Sequence, residues 1–446
     1  MAARTMISVA GIRGVVGETL MAEDFLTYAL AFGTFVGGGT VVVGRDTRPS
    51  GEMVCALIFG GLLSTGCTVI DLGIVPTPTI GLMVRELHAA GGVAVTASHN
   101  PVEWNALKFF RSDGRLQQKS DQEEYFALWR RGEFRRARIE KAVPVVVSNA
   151  APATHIARVI ENVDAAAIRR RRFKVALDCC NGAGTTVLPG LCEALGCDAT
   201  LLFDDLTRPF ERVAEPLAEH LGALAEAVRR VGADIGFAVD PDADRLAVVD
   251  ESGRPIGEER TVTLAGYHLL GRQPSPFVVN LSTTRAADDV AALHGVPLQR
   301  TPIGEANVVE EMYNQSAVIG GEGNGGVIWP AVTSGRDAAA GVGLLLEALA
   351  QSGEPISAYN RRVPDYALLK MKRPVEPGAL GPAFARLEKA FGAQGRIWRE
   401  DGLRIDLAEG WFHLRPSGTE PIVRLFVEAR TTPEAEALAK EVAKYL

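Results

Sequence analysis

The feature that most constrains this chain is a repeat. One unit, read as strand, helix, strand, helix, strand and loop, recurs three times. In the first copy the strands are Thr40–Gly44, Thr68–Leu72 and Gly92–Val95, with a helix over Met53–Leu63. The second has strands Phe173–Leu177, Asp198–Phe203 and Asp234–Val239, with a helix over Leu188–Leu195. The third has strands Pro276–Asn280 and Ser316–Ile319, with a helix over Ala286–His294. Local sequences echo one another: Thr65-Gly66-Cys67-Thr68 matches Leu195-Gly196-Cys197-Asp198, and His294-Gly295-Val296-Pro297 holds the same place. Short β-rich apolar runs alternating with helices imply βαβ units. Open sheets of this kind bind ligands beyond the carboxyl ends of their strands. The loops at Ser98, Asp240 and Gly321 each follow the last strand of their copy, so all three are expected to converge on one cleft.

The tail reads differently. Leu403–Leu407, Trp411–Leu414 and Ile422–Ala429 are expected strands, the last with only partial alternation. A closing helix is predicted from Thr432 as N-cap, with Pro433 in its first turn, to Tyr445. With 446 residues the chain exceeds one core. The expected α/β fold has three similar α/β domains with mixed sheets around a central cleft, plus a smaller C-terminal α+β domain. The boundaries expected are 1–150, 151–254, 255–364 and 365–446, with linkers near Asn149–Thr154, Glu251–Glu259 and Arg361–Asp365.

A net charge of −7 argues against general nucleic-acid binding, though local arginines still bind anionic substrates. The six cysteines show no C-x-x-C spacing and read as buried thiols, which suits a reducing, cytoplasmic compartment. Met1–Gly14 lacks the apolar core of a signal peptide. No stretch approaches the ~18 uninterrupted apolar residues of a membrane span.

Four motifs carry chemistry. In Thr96-Ala97-Ser98-His99-Asn100-Pro101, a serine at a strand end can attack phosphorus; the alternative is a serine capping a following helix. Lys108 is a cation that can reach the same phosphate or donate a proton, against the alternative of a solvated strand lysine. In Asp240-Pro241-Asp242-Ala243-Asp244-Arg245, three alternating carboxylates repel and call for a cation. An oxygen-only set favours Mg²⁺ or another hard cation. The spacing resembles an EF-hand, but Arg245 stands where that loop needs glycine, and strands flank it. In Gly321-Glu322-Gly323-Asn324-Gly325-Gly326, Glu322 and Asn324 can read sugar hydroxyls, or the run is a mobile turn. Arg415, Ser417, Gly418 and Thr419 form either a phosphate cradle or a plain hairpin turn.

These four motifs, in this order and spacing, resemble the α-D-phosphohexomutase superfamily, and the resemblance covers essentially the whole chain. It implies that Ser98 carries a phosphoryl group as phosphoserine. Asp240, Asp242 and Asp244 would bind Mg²⁺, with the Ser98 phosphate completing the coordination. Glu322 and Asn324 match the sugar loop, and Arg415, Ser417, Gly418 and Thr419 the grip on the phosphate that is not transferring. Arg13, in Gly11-Ile12-Arg13-Gly14, matches an arginine near the transferring phosphate, and Lys108 and Arg245 also match family positions. Lys108, His99 and Glu305 are the candidates for moving protons.

The activity implied is interconversion of hexose 6-phosphate and 1-phosphate through a 1,6-bisphosphosugar. Where several bacterial relatives end the sugar loop in Ser-Gly-His, this chain has Asn324-Gly325-Gly326, similar to phosphoglucosamine mutases of the archaeal type. Glucosamine phosphate is therefore the expected substrate, ahead of glucose or mannose phosphate. A phosphoserine-dependent phosphatase and a non-catalytic sugar-phosphate sensor rank below. The expected partners are a phosphosugar, no nucleic acid and no membrane, in a monomer or homodimer.

Overall fold

The structure, a computed structural model, describes residues 6–8, 11–138, 140, 143–374, 378–416 and 422–446. Each of the three expected copies has its own sheet, built on the same four-strand arrangement. Across the sheet the strands run Thr68–Ile74, Thr40–Arg45, Gly91–Val95 and Trp104–Phe110 in the first unit. They run Asp198–Leu202, Lys174–Asp178, Ile235–Val239 and Leu246–Val249 in the second. In the third they run Leu298–Thr301, Phe277–Asn280, Ile319–Glu322 and Gly326–Ile328. Each time, three strands are parallel and the fourth is antiparallel. The loop joining the last two strands is thus equivalent in all three units. It carries Ser98 in the first, Asp240 to Arg245 in the second and Gly323 to Gly325 in the third. The first unit adds Gly11–Val15 beside Trp104–Phe110, which brings Arg13 opposite Ala106.

Two expectations need correction. The strand placed at Ser316–Ile319 runs Ile319–Glu322, so Glu322 is a strand residue rather than a loop residue. The consecutive glycines read as a turn, but they permit a tight antiparallel pairing with Gly326–Ile328. The linker expected at 149–154 contains the start of helix Ala151–Asn162, whose proline in the first turn is itself a helix-start signal.

One continuous apolar core runs through the second and third units and includes helix Ala338–Ser352. The first unit has its own core. The fourth unit, an antiparallel sheet of Ala367–Pro374, Ile422–Ala429, Gly410–Pro416, Leu403–Asp406 and Arg396–Trp398, has another. Two helices, Leu380–Phe391 and Thr432–Ala443, belong to it. The last begins one residue earlier than expected: Thr431 is the N-cap, its N–H and hydroxyl both donating to Glu434 at 2.9 Å. The imperfect alternation of Ile422–Ala429 has a cause. Val423, Leu425 and Val427 are buried in the core, while Glu428 is buried on the other side, accepting Trp411 Nε1–H (2.6 Å) and the Arg285 N–H (2.8 Å). No helix among the described residues is long and apolar enough to cross a membrane.

Candidate active site

The serine loop is built by a buried ion pair. Ser98 follows Gly91–Val95 at φ +51°, in the left-handed region, and is 3% exposed. A non-glycine residue there costs on the order of 1 kcal/mol and persists only when its surroundings fix it. Here the fixing group is Arg48. Its Nη2 donates to the carbonyls of Ser98 (2.6 Å) and Asn100 (2.7 Å), and its Nε to Asp46 (3.0 Å). The Thr96 hydroxyl donates to the same Asp46 oxygen (2.6 Å) and accepts the Ser98 N–H (3.0 Å). The next element is the strand Trp104–Phe110, so Ser98 caps no helix and that alternative falls. Sequence reading missed Asp46 and Arg48. The available signal was their place just past Thr40–Arg45, at the carboxyl edge where the other loops gather.

That strained serine meets the carboxylate loop. Ser98 Oγ donates to Asp240 Oδ2 at 2.8 Å, across 142 residues of sequence, and lies 3.4 Å from His99 Nδ1. Asp240, Asp242 and Asp244 are all buried, and each offers an oxygen within 4.8 Å of the others'. Asp240 Oδ1 accepts the N–H groups of Asp244 and Arg245, both at 3.1 Å, which shapes the loop. Lys108 Nζ donates to Asp242 Oδ2 (2.7 Å) and Asp244 Oδ2 (3.2 Å), so it is a buried partner of the loop and not a solvated lysine. Asp242 Oδ1 and Asp244 Oδ1 are buried with no hydrogen-bond partner among the described residues. Orphaned carboxylate oxygens are costly, and together with an oxygen-only donor set they fit a hard cation such as Mg²⁺.

Electrostatics divide the cluster. Burial, then repulsion from Asp244 and Asp242, pushes Asp240 well above the usual carboxylate range. Burial also opposes charge on Asp244, but Arg336, Lys108 and Arg245 together outweigh it and hold that carboxyl below its ordinary value. Burial opposes the Lys108 ammonium too, and Asp242 and Asp244 more than restore it. His99 is driven well below its usual value by burial and then by Arg245 and Arg13, so it is neutral at pH 7. Arg13 donates to Asn100 Oδ1 at 2.7 Å. Arg245 pairs with Glu215 (2.8 Å), and its buried Nε lies 3.9 Å from both Asp240 Oδ2 and Asp244 Oδ1, with no hydrogen-bond partner among the described residues.

The glycine-rich loop joins the same cleft. The Leu246 N–H, just after the carboxylate loop, donates to the Gly325 carbonyl at 2.9 Å. Gly325 sits at φ +91°, and a Cβ there would lie 2.6 Å from the Leu246 oxygen, so the contact requires glycine. Glu322 is 2% exposed. Its oxygens accept from Asn280 (2.7 Å), the Gly304 N–H (3.1 Å), Arg336 (2.8 Å) and Asn324 (3.3 Å). Asn324 Oδ1 accepts the Gly326 N–H at 3.2 Å. Arg336, which sequence reading passed over, is the central cation. It reaches Asp244 Oδ2 at 2.6 Å and Glu322 Oε2 at 2.8 Å, and its Nε lies 3.3 Å from Glu305 Oε2. Burial raises the Glu305 carboxyl above its ordinary value, against the opposing pull of Arg336 and with help from Asp244.

Arg415 is the penultimate residue of the fourth unit's strand Gly410–Pro416 and pairs through Nε with Asp401 Oδ1 at 2.8 Å. The other oxygen of Asp401 accepts the Ile303 N–H (3.0 Å), which ties this arginine's neighbour to the third unit. Ser417, Gly418 and Thr419 lie outside the described residues.

Comparison with known proteins shows the family. Family models for the phosphoglucomutase/phosphomannomutase α/β/α domains I, II and III match residues 4–136, 153–253 and 258–366, and that for the C-terminal domain matches 369–445. The chain is 37% identical to a phosphoglucomutase/phosphomannomutase of Thermococcus kodakarensis, over 95% of this chain and 94% of that protein. It is 31% identical to a phosphoglucosamine/phosphogalactosamine mutase of Sulfurisphaera tokodaii, over 97% of each. A crystal structure of a phosphoglucomutase/phosphomannomutase family protein from Burkholderia thailandensis superposes with a TM-score of 0.86 at 25% identity, covering 99% of this chain and 98% of that one. The chain belongs to the phosphoglucomutase/phosphomannomutase family, within the α-D-phosphohexomutase superfamily.

Proposed function

We propose that this protein is a phosphosugar mutase that interconverts hexose 6-phosphate and 1-phosphate through phosphorylated Ser98 and a 1,6-bisphosphosugar, with glucosamine phosphate as its substrate. The observation that carries this reading is the meeting of the Ser98 hydroxyl with Asp240 at 2.8 Å, inside a buried cluster that also touches the glycine-rich loop. Phosphoryl transfer needs positioning and charge neutralisation above all. Asp240, Asp242 and Asp244 would hold Mg²⁺, which supplies charge neutralisation at the transferring group.

The remaining groups have separate tasks. Lys108 stays an ammonium and balances charge beside the carboxylates. Arg13, and Arg245 through an Nε that makes no hydrogen bond among the described residues, bind phosphoryl oxygens. Neutral His99, 3.4 Å from Ser98 Oγ, is suited to accept a proton at Nδ1. Glu322 and Asn324 shape the sugar loop, and Arg415 with Ser417, Gly418 and Thr419 grips the second phosphate. We assign the units to 1–150, 151–254, 255–364 and 365–446, and place the protein in the cytoplasm on its six unpaired thiols. The choice of glucosamine rests on the Asn324-Gly325-Gly326 ending and on the Sulfurisphaera relative.

The test is turnover of glucosamine 1-phosphate, glucose 1-phosphate and mannose 1-phosphate with Mg²⁺. Conversion to the 6-phosphate with the highest kcat/KM for glucosamine, lost in Ser98→Ala, is expected. A higher kcat/KM for glucose or mannose reassigns the sugar, and release of free phosphate from all three replaces the mutase with a phosphatase.

A further inference from the structure

Behind the carboxylate loop lies a buried junction of the first three units that the chemistry above does not use. His155, near the start of helix Ala151–Asn162, is 0% exposed and satisfied at both ring nitrogens. Nδ1 lies 2.8 Å from Thr79 Oγ1 of the first unit, and Nε2 lies 2.8 Å from Asp337 Oδ2 of the third. Asp337 accepts at both oxygens: the Ala339 N–H (2.9 Å) and Ala340 N–H (3.3 Å) at Oδ1, and the Thr333 hydroxyl (3.0 Å) at Oδ2. An acceptor-only carboxylate puts the proton on Nε2, so in the neutral ring Nδ1 accepts from Thr79.

Hydroxyl, imidazole and carboxylate in a row resemble a nucleophilic triad. That reading fails because Thr79, His155 and Asp337 are all 0% exposed, out of reach of any substrate.

The two segments that His155 joins are the ones that hold the carboxylate loop. On one side, Thr77 donates its N–H to the Asp242 carbonyl (3.0 Å) and its hydroxyl to Asp242 Oδ2 (2.7 Å). On the other, the Ala338 N–H donates to the Ala243 carbonyl at 3.2 Å. Ala243 itself sits at φ +50°, which needs such support. Between them lies a void lined by Pro76, His155, Ala243, Asp337 and Ala339, with no room for a water. A bond lost here has no replacement.

We propose that His155 is a positioning residue: by tying Thr79 to Asp337 it sets the spacing of the two segments that present Asp242 and Ala243, and so fixes the divalent-cation affinity of the loop. The proposal rests on reading Asp240, Asp242 and Asp244 as the metal site. Groups that bond metal ligands directly change affinity by about 10–100-fold when removed, and His155 acts one layer further back, through Thr77 and Ala338, so the lower end of that range is expected.

The test is Mn²⁺ titration of the full-length protein by electron paramagnetic resonance, with the thermal midpoint of each variant measured in chelator. Thr79→Val keeps the shape and removes the hydroxyl, and is expected to raise the Mn²⁺ Kd about tenfold. Thr79→Ser restores the hydroxyl and should return the Kd to near the parental value. His155→Asn should weaken binding at least as much as Thr79→Val. Parental Kd values in both Thr79→Val and His155→Asn overturn the proposal, as does equal weakening in Thr79→Ser, which would indicate packing alone. A parent that binds no Mn²⁺ overturns it too. Sugar-phosphate turnover by the parent judges the mutase reading separately.

Discussion

At the residue scale, Arg336 shows how one side chain holds two functional loops together. It pairs with Asp244 of the carboxylate loop and Glu322 beside the sugar loop, both in burial. Removing one partner of a buried pair leaves the others uncompensated, a penalty of about 3–5 kcal/mol. Arg336→Met is therefore expected to lower kcat/KM for the sugar phosphate by at least about tenfold and to lower the thermal midpoint. Arg336→Lys, which keeps charge but not the fork, should recover stability more than activity. A kcat/KM for Arg336→Met equal to the parent's would show that the pairs are incidental. Cation removal offers a second check. Binding to the native state alone raises stability by mass action, so Mg²⁺ should raise the thermal midpoint of the parent and leave Asp242→Asn nearly unmoved. Equal shifts in both proteins would place the ion elsewhere.

Residues such as Ser98 and the three aspartates were legible because their motifs are short and local. Asp46, Arg48 and Arg336 were not. An arginine's partner is set by folding, and these reach across 50 or more residues of sequence to Ser98, Asn100 and Asp244.

At the scale of elements, the third-to-fourth strand connection is the functional unit. Periodicity and β-rich composition revealed most of the strands that flank it, because parallel strands buried on both faces read as continuous apolar runs. The strand Ile319–Glu322 escaped because glycine has no side chain to show a pattern, and its pairing with Gly326–Ile328 is a tertiary fact. In the tail, the strand Ala367–Pro374 and the helix Leu380–Phe391 were also missed. Leu368, Lys370 and Lys372 interleave with Leu369 and Met371, so charge masks the apolar face.

The docking of Gly325 on Leu246 makes a prediction of this scale. Gly325→Ala places a Cβ 2.6 Å from a backbone oxygen at φ +91°. Strain of this kind costs about 1–3 kcal/mol, so urea unfolding should show a loss of that order, and KM for the sugar should rise. A stable variant with unchanged KM would mean that the two loops move independently.

At the scale of the whole molecule, the second and third units share a core while the fourth has its own. Hydrogen bonds tie the fourth unit to the third. The Arg285 Nη1 donates to the Ala408 carbonyl (2.9 Å), and His413 Nδ1 lies 2.9 Å from Ser282 Oγ. A hydrogen-bonded junction outside the shared core suits a unit that shifts while the proposed intermediate turns over.

His413 gives this interface a pH signature. Burial lowers its pKa from 6.5 to about 4. A depressed histidine is neutral in the fold, so the unfolded chain binds more protons between those values. Its contribution is present above pH 6.5 and is lost as pH falls toward 4. Thermal midpoints should drop over that window more steeply in the parent than in His413→Gln, and identical slopes would remove His413 from the interface's stability.

The most direct test of the central claim follows one phosphate. Protein phosphorylated at Ser98 is mixed with glucosamine 6-phosphate, and both the Ser98 peptide and the sugar are read by mass spectrometry over time. The account predicts that the peptide loses its phosphate as a bisphosphosugar appears, and regains it as the 1-phosphate forms. Loss of the Ser98 phosphate to water with no bisphosphosugar, or mutase turnover with Ser98 never phosphorylated, would contradict it.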